Sequence, residues 1–371
     1  MTQHPTTQET AQRMLSLARR EGAGFAEVLV VQNEFSLKRI RQNQVDQPPA
    51  GEQWSIDLAL VKGKRRQTVC LDNPLIAEKM IKEAMKRMDL MPEHEPYVPT
   101  EKFALVEQPP SLYDKKTAEL SGDRLVALAQ EATRQLAHHN LFLSGKILQG
   151  RGEVSYANTL GTRQNARFTQ ASAALFAFDA DNLFISAYAN SGGISIDHIE
   201  IGRMLGELVE KCELQRGKEK IDLFSGKDEG EEIKMDVILE PYFFNTLSAW
   251  LGFFGFNGLF VERGESFISN KVGQQVMGEN VTISDDPADN RNNGMGFPFD
   301  FEGRPRERIV LVEQGVAKRA LYDSALAAQW GKKATCNALP PSSRAEGAAP
   351  FDLVIEGGNT SVEEMIRQSK E

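Results

Sequence analysis

Ser55-Ile56-Asp57-Leu58-Ala59-Leu60-Val61 and Arg66-Gln67-Thr68-Val69-Cys70-Leu71 are separated by a short linker centred on Gly63. Each run is rich in β-branched and apolar residues and alternates with polar ones, and Gly63 supplies the turn, so the pair predicts an antiparallel hairpin. Phe25–Val31 and Phe35–Arg41 have the same character and extend the prediction to a meander. Upstream, Thr6 and Glu9 form a capping-box pattern ahead of an apolar stripe at Ala11, Met14, Leu15 and Ala18, and Gly22 can close that helix. Downstream, Asn73-Pro74 signals a second helix, with Leu75, Met80, Ile81, Ala84 and Met88 on or near one face.

Five prolines between Pro92 and Pro110 mark a long surface connection. Ser121 then opens a helix running to His138. Strands are expected over Leu141–Leu148, Glu153–Ala157, Ala166–Asp179 and Asn182–Ala189, followed by a helix from Ile199 to Glu213 and the charged stretch Gln215–Lys220. Near Glu232 the pattern restarts. A strand over Met235–Leu239 leads to Pro241, which suits the first turn of an apolar helix ending near Phe254. Ile309–Leu321, with Gln314-Gly315 at its centre, reads as a hairpin, and Ser361–Lys370 as a helix. The expected fold is α+β, with helices packed on antiparallel or mixed sheets. Its 371 residues suffice for two domains, placed at 1–230 and 231–371.

Forty-three basic against fifty-two acidic residues give a net charge of −9, which argues against a broad phosphate-binding surface. The basic runs Lys62–Arg66 and Arg304–Arg308 each adjoin a strand and read as solvated hairpin faces. The longest apolar run, Leu247–Val261, is broken by Gly252, Gly255, Asn257 and Gly258, whereas a membrane span needs about 20 continuous apolar residues. Met1–Glu9 is polar and lacks a basic-then-apolar leader pattern. Cys70, Cys212 and Cys336 are odd in number and scattered, which favours neither a disulfide framework nor a structural zinc site; the expected compartment is the cytoplasm.

A catalytic constellation is not legible from spacing. None of the histidines, His4, His94, His138, His139 and His198, has the two-ligand helical spacing that would place two imidazoles on one metal. His138-His139 reads as a solvated helix end, and Asp197-His198 with Glu200 as an acidic helix start. Asp285-Asp286 and Asp289–Gly294 fail the calcium-loop pattern because Arg291 stands where an oxygen ligand is needed, so a turn-rich connection is expected. Cys336 lies in a polar segment with no histidine near it in sequence.

The second half resembles the TldD/PmbA family, known as modulators of DNA gyrase and as a metalloprotease system. The resemblance rests on six blocks in the family's order: Val237-Ile238-Leu239-Glu240-Pro241, Lys271-Val272-Gly273-Gln274, Ser284-Asp285-Asp286-Pro287, Pro298-Phe299-Asp300-Phe301-Glu302-Gly303, Leu311-Val312-Glu313-Gln314-Gly315 and Thr335-Cys336-Asn337-Ala338. Ala26-Glu27-Val28 and Arg41-Gln42-Asn43 look like parts of the family's opening domain, so the likeness covers nearly the whole chain.

In the TldD branch, a helix carries H-E-x-x-x-H, whose histidines bind zinc and whose glutamate serves as base. The corresponding positions here are Ala249, Trp250 and Phe254, none of which can ligate a metal, and this places the chain with the PmbA (TldE) branch. The resemblance therefore implies no catalytic residue and no cofactor bound by this chain. Zinc is expected in a TldD-like metalloprotease subunit joined as a heterodimer, with a homodimer as the other option. The implied substrate is an unfolded peptide, with no direct nucleic-acid or membrane contact. Asp286, Asp300, Glu302, Gly303, Thr335 and Asn337 are the candidate groove or family-motif residues. Family members usually continue past the point matching Glu371, which implies a second sheet that is shortened here or completed by another chain. The alternatives are a self-contained hydrolase using Cys336 or a carboxylate pair, and a non-enzymatic module acting on gyrase.

Overall fold

The computed structural model describes residues 5–46, 50–93, 100–218, 232, 234–289 and 296–369. Helix α1 (Thr7–Arg20) starts at the Thr6 cap with the reciprocal Thr6–Glu9 capping box in place. Strand β1 (Phe25–Arg41) then runs unbroken through seventeen residues where two strands were expected. Gln32-Asn33-Glu34 looks like a turn by composition. Its backbone is instead held from both sides, Asn33 opposite Gln53 on one neighbour and Gly152 on the other. The short β2 (Gln44–Val45) pairs with the end of β1, and β3 (Ala50–Lys62) and β4 (Arg65–Leu71) form the expected hairpin around Gly63, whose φ is +59°.

Asn73 caps a short 3₁₀ turn that opens α2 (Ala77–Leu90). Its buried face is Ala77, Ile81, Ala84, Met85 and Met88, whereas Leu75 is exposed. After α3 (Lys115–Ala118) and α4 (Gly122–Ala137, capped by Ser121), the chain forms three long strands, β5 (Leu141–Asn158), β6 (Arg163–Asp179) and β7 (Ser186–Gly193). Here too two expected strands merge into one, because Gln149 to Gly152 pair with β1 and β6 at once. Helix α5 (Ile201–Gln215) follows. The sheet is antiparallel throughout, in the order β4-β3-β1-β5-β6-β7.

Helices α1 and α2 cover one end of this sheet around Val28, Val30, Leu58 and Leu60. Helices α4 and α5 cover the other end around Leu143, Ile147, Leu175 and Leu208. The opposite face at β1 and β5 is covered by the chain's second half, where Leu29, Val154 and Tyr156 pack with Phe299. Cover on both faces explains why Phe25 to Val30 is buried at every position rather than at alternate ones.

The second half builds α6 (Pro241–Trp250), a π turn over Leu251–Gly255, α7 (Gly258–Glu262) and a four-stranded sheet, β10-β9-β8-β11. Its strands are β8 (Ile283–Asp285), β9 (Ile309–Glu313), β10 (Val316–Ala317) and β11 (Leu353–Ile355), with α8 (Ser324–Trp330) beside them and α9 (Val362–Gln368) at the end. The Gln314-Gly315 turn has φ of +49° and +77°, the conformation a two-residue hairpin requires. Met235–Leu239 forms no strand. Among the described residues no strand ladders with it, and Met235, Val237, Ile238 and Leu239 stand exposed. No described helix is long and apolar enough to cross a membrane.

Candidate functional site

Two features of the second half hold chemistry together: a buried ionic junction against the first sheet, and an aromatic cavity under α6. The junction begins with Glu27, an acid inside the apolar start of β1 and fully buried. Tyr156 Oη donates to it at 3.0 Å and Arg344 Nη2 at 3.1 Å, and Arg66 lies 3.7 Å away. Arg344 sits on the 3₁₀ turn Pro341–Glu346 and also donates to the Phe301 carbonyl at 2.6 Å, with Glu302 at 3.6 Å from its other terminal nitrogen. The same turn is pinned to the sheet by Arg66, which donates to Pro341 O at 2.6 Å, and by Ser342, which bonds Asp57 on β3.

Asp300 accepts three backbone N–H groups, from Glu302, Arg304 and Ala338. Glu302 takes the Ser324 hydroxyl at 2.6 Å, and Asp323 caps α8 through Leu326 N. Gly303 has φ of +79°, and a Cβ there would lie 2.6 Å from Thr162 and 2.8 Å from the Tyr156 ring, so only glycine lets this loop seat on the sheet. Four buried carboxylates thus surround two guanidinium groups. Burial pushes the Glu302 carboxyl up to about 8 and raises Asp300 and Asp323 as well, because taking a carboxylate out of water disfavours its charge. Buried except for the partly exposed Arg66, this cluster joins two layers of the fold.

A second buried pair lies deeper in the same half. Arg306 is fully enclosed between Asp285, at 2.8 Å, and Asp352. Asn337 Nδ2 donates to Asp285 at 2.7 Å and to Ala349 O at 3.2 Å. The solvated hairpin face expected for Arg304–Arg308 is therefore corrected: Arg306 is the counter-ion of a strand-end aspartate, and of the three arginines only Arg308 is well exposed. The turn reading of Asp285 is corrected likewise, since it closes β8 in the core, while Asp286 pairs with Arg308 and residues 290–294 lie outside the described set. Thr335 exchanges hydrogen bonds with the Tyr322 backbone.

The helix α6 is different in kind. None of its residues is buried, although Phe243, Phe244, Leu247 and Trp250 are among them; their exposures are 49%, 42%, 45% and 58%, and Phe254 beyond adds 46%. Trp250 and Phe254 stack at 5.6 Å. On its other side, Ala249, Asn245, Ser248 and Phe253 wall a cavity of about 590 Å³ closed by Phe297, Phe299, Phe301 and Phe351. Gly252 permits this packing, because a Cβ there would meet Pro350 at 2.8 Å. The one charge at the wall, Asp352, is already bound to Arg306, whose guanidinium lies 5.1 Å above the Phe351 ring. The cavity therefore presents apolar rings with a hydroxyl and an amide, a lining suited to an uncharged side chain.

Ala249, Trp250 and Phe254 offer a methyl, an indole N–H that only donates, and a phenyl ring, so the donor set does not fit zinc. Cys336 is 2% exposed; its Sγ accepts from Glu307 N at 3.4 Å, and burial raises its thiol pKa, keeping it protonated. Replacing Cys336 with alanine is expected to leave any peptide-processing activity within twofold of the parent, as a coupled hydrolysis assay would show. His138 and His139 end α4, and His198 Nδ1 accepts from Ser195 N, whereas His4 and His94 lie outside the described residues. Sequence reasoning missed Glu27, Arg344 and the phenylalanine wall. An acid within the apolar run Phe25–Val31 was the available signal for the first.

Comparison with known proteins adds four likenesses. Residues 232–371 match the family model described as the PmbA/TldA metallopeptidase C-terminal domain. A metalloprotease TldD homolog of Buchnera aphidicola is 34% identical over 83 residues, 22% of this chain and 17% of that protein. A metalloprotease of Methanothermobacter thermautotrophicus is 27% identical over 187 residues, 48% of this chain and 38% of its own length. The matched stretches thus span well under half of these curated relatives. The crystal structure of TldE from Thermococcus kodakarensis superposes with a TM-score of 0.77 at 18% identity, covering 97% of this chain and 80% of that one, a likeness of fold.

Proposed function

We propose, from the match of residues 232–371 to the PmbA/TldA metallopeptidase C-terminal domain, that the chain is a non-catalytic, TldE-like subunit of a peptide-processing metalloprotease of the TldD/PmbA family. A TldD-like partner supplies the zinc. The observation that carries this reading is α6 with the π turn after it: the zinc-motif positions hold Ala249, Trp250 and Phe254, and α6 exposes apolar side chains along its length. Zinc activates water only when nitrogen, sulfur or oxygen ligands hold it with one position open, and these side chains provide none. A second copy of this chain would bring the same lack of ligands, so the working pair is a heterodimer.

An apolar helix face of this size calls for a protein partner. Covering the remaining half of Phe243, Phe244, Leu247, Trp250 and Phe254 removes roughly 500 Å² from water and contributes on the order of 10 kcal/mol at about 25 cal/mol per Å². That lies within the range of the association cost, about 4–15 kcal/mol. The exposed side chains of Met235, Val237, Ile238 and Leu239 supply more. The aromatic cavity beside Ala249 receives an uncharged side chain of the peptide substrate.

The reading is tested by assaying an unfolded peptide substrate with the chain alone, and with the TldD-like subunit of its host. The chain alone should be inactive, and the pair active and silenced by a zinc chelator. The double variant Phe244→Glu, Trp250→Glu should weaken pairing at least tenfold while circular dichroism stays unchanged. Hydrolysis by the isolated chain, or undiminished pairing by the double variant, would refute the proposal.

A further inference from the structure

Lys38 lies on β1, opposite Ile147 of β5, and is only 5% exposed. Neither it nor Ser36, two residues earlier on the same face, has a hydrogen-bond or ion-pair partner among the described residues. Both side chains converge on one point: a Cβ built on Gly122 would stand 3.4 Å from Lys38 Nζ and 3.6 Å from Ser36 Oγ. Gly122 is the first residue of α4, a sixteen-residue helix. The Ser121 hydroxyl takes the Arg124 N–H, which leaves the N–H groups of Gly122 and Asp123 without a protein acceptor among the described residues.

The stem of Lys38 is buried, an ammonium held so close to the protein is normally paired with a carboxylate, and the positive end of a helix normally attracts an acid. Here an ammonium is set against the positive end of a helix, an arrangement of like sign that an anion between them would reverse. The acids nearby are already engaged or turned to solvent. Glu34 is bound by Arg151 at 2.6 Å, Glu52 accepts from Trp54 at 2.7 Å, Glu119 faces Lys115 at 3.8 Å, and Asp123 is exposed. Ser36 also lines a neighbouring cavity of about 620 Å³, whose wall carries Glu34, Glu52, Glu119 and Arg151.

We propose that Lys38, Ser36 and the first amides of α4 form a binding site for a small oxyanion, a phosphate or a carboxylate. The site is separate from α6 and does not depend on the subunit reading above. The ammonium and hydroxyl donate to two oxygens, and the Gly122 and Asp123 N–H groups to a third or to a shared one.

The test titrates the full chain with inorganic phosphate, and separately with acetate, at constant ionic strength set by chloride. The readout is the amide resonances of Gly122 and Asp123 together with the thermal midpoint. Both should shift saturably with one or both anions, and Lys38→Met, which keeps the apolar stem, should weaken the Kd at least tenfold. A response to phosphate alone identifies a phosphate-bearing ligand, and to acetate alone a carboxylate. Absence of a saturable shift with either anion in the unsubstituted protein overturns the proposal, as does an undiminished response in a folded Lys38→Met variant.

Discussion

Replacing Arg344 with alanine is expected to destabilise the protein by about 3–5 kcal/mol, the usual cost of stripping one partner from a buried ion pair. The guanidinium alone touches Glu27 on the first sheet and both Phe301 O and Glu302 in the second half. Without it, these acids lose their main counter-charge in a place water does not reach. Arg66, at 3.7 Å from Glu27, is too distant and too exposed to replace it. Urea unfolding would show the loss as a lower midpoint. Arg344→Lys should recover part of it, since an ammonium keeps the charge but not the fork that reaches Glu27 and Phe301 together. A midpoint within about 0.5 kcal/mol of the parent, the range of ordinary surface changes, would show that Arg344 does not hold the junction.

The second large effect is a dependence of stability on pH set by Glu302. Burial raises its carboxyl in the folded protein to about 8, from an ordinary value of 4.5. Asp300, Asp323 and Arg344 face it, together with the Ser324 hydroxyl, and of these only Arg344 and Ser324 favour its charged form. Between those two values the folded state holds a proton that the unfolded state has released. The stabilising contribution is therefore complete below about pH 4.5 and is lost as pH rises toward 8, at up to about 1.4 kcal/mol per unit from this group. Asp300 and Asp323, raised in the same direction, add to the decline. Glu302→Gln keeps the shape, carries no charge at any pH, and should flatten the fall between pH 6 and pH 8.5. If parent and variant fall in parallel over that interval, the proton belongs elsewhere.

Local signals in the sequence carried much of the fold. The Thr6–Glu9 capping box, the Gly63 turn, Ser121 as a cap, Pro241 at a helix start and the Gln314-Gly315 hairpin turn each act within a few residues. Strand lengths were less legible, because Gln32-Asn33-Glu34 is polar yet sits in the ladder by virtue of partners on both sides. The site was least legible for the same reason. Glu27 and Arg344 are separated by over three hundred residues in sequence and meet only through the packing of the 3₁₀ turn on the sheet. Met235–Leu239 erred the other way: its composition favours a strand, but a strand forms only where another edge accepts it.

Tagging the chain in its native host, isolating it under mild conditions and identifying what comes with it tests the central claim most directly. The account predicts one partner near equal stoichiometry, carrying H-E-x-x-x-H and the zinc of the complex. Recovery of the chain alone, or only with copies of itself, would contradict it.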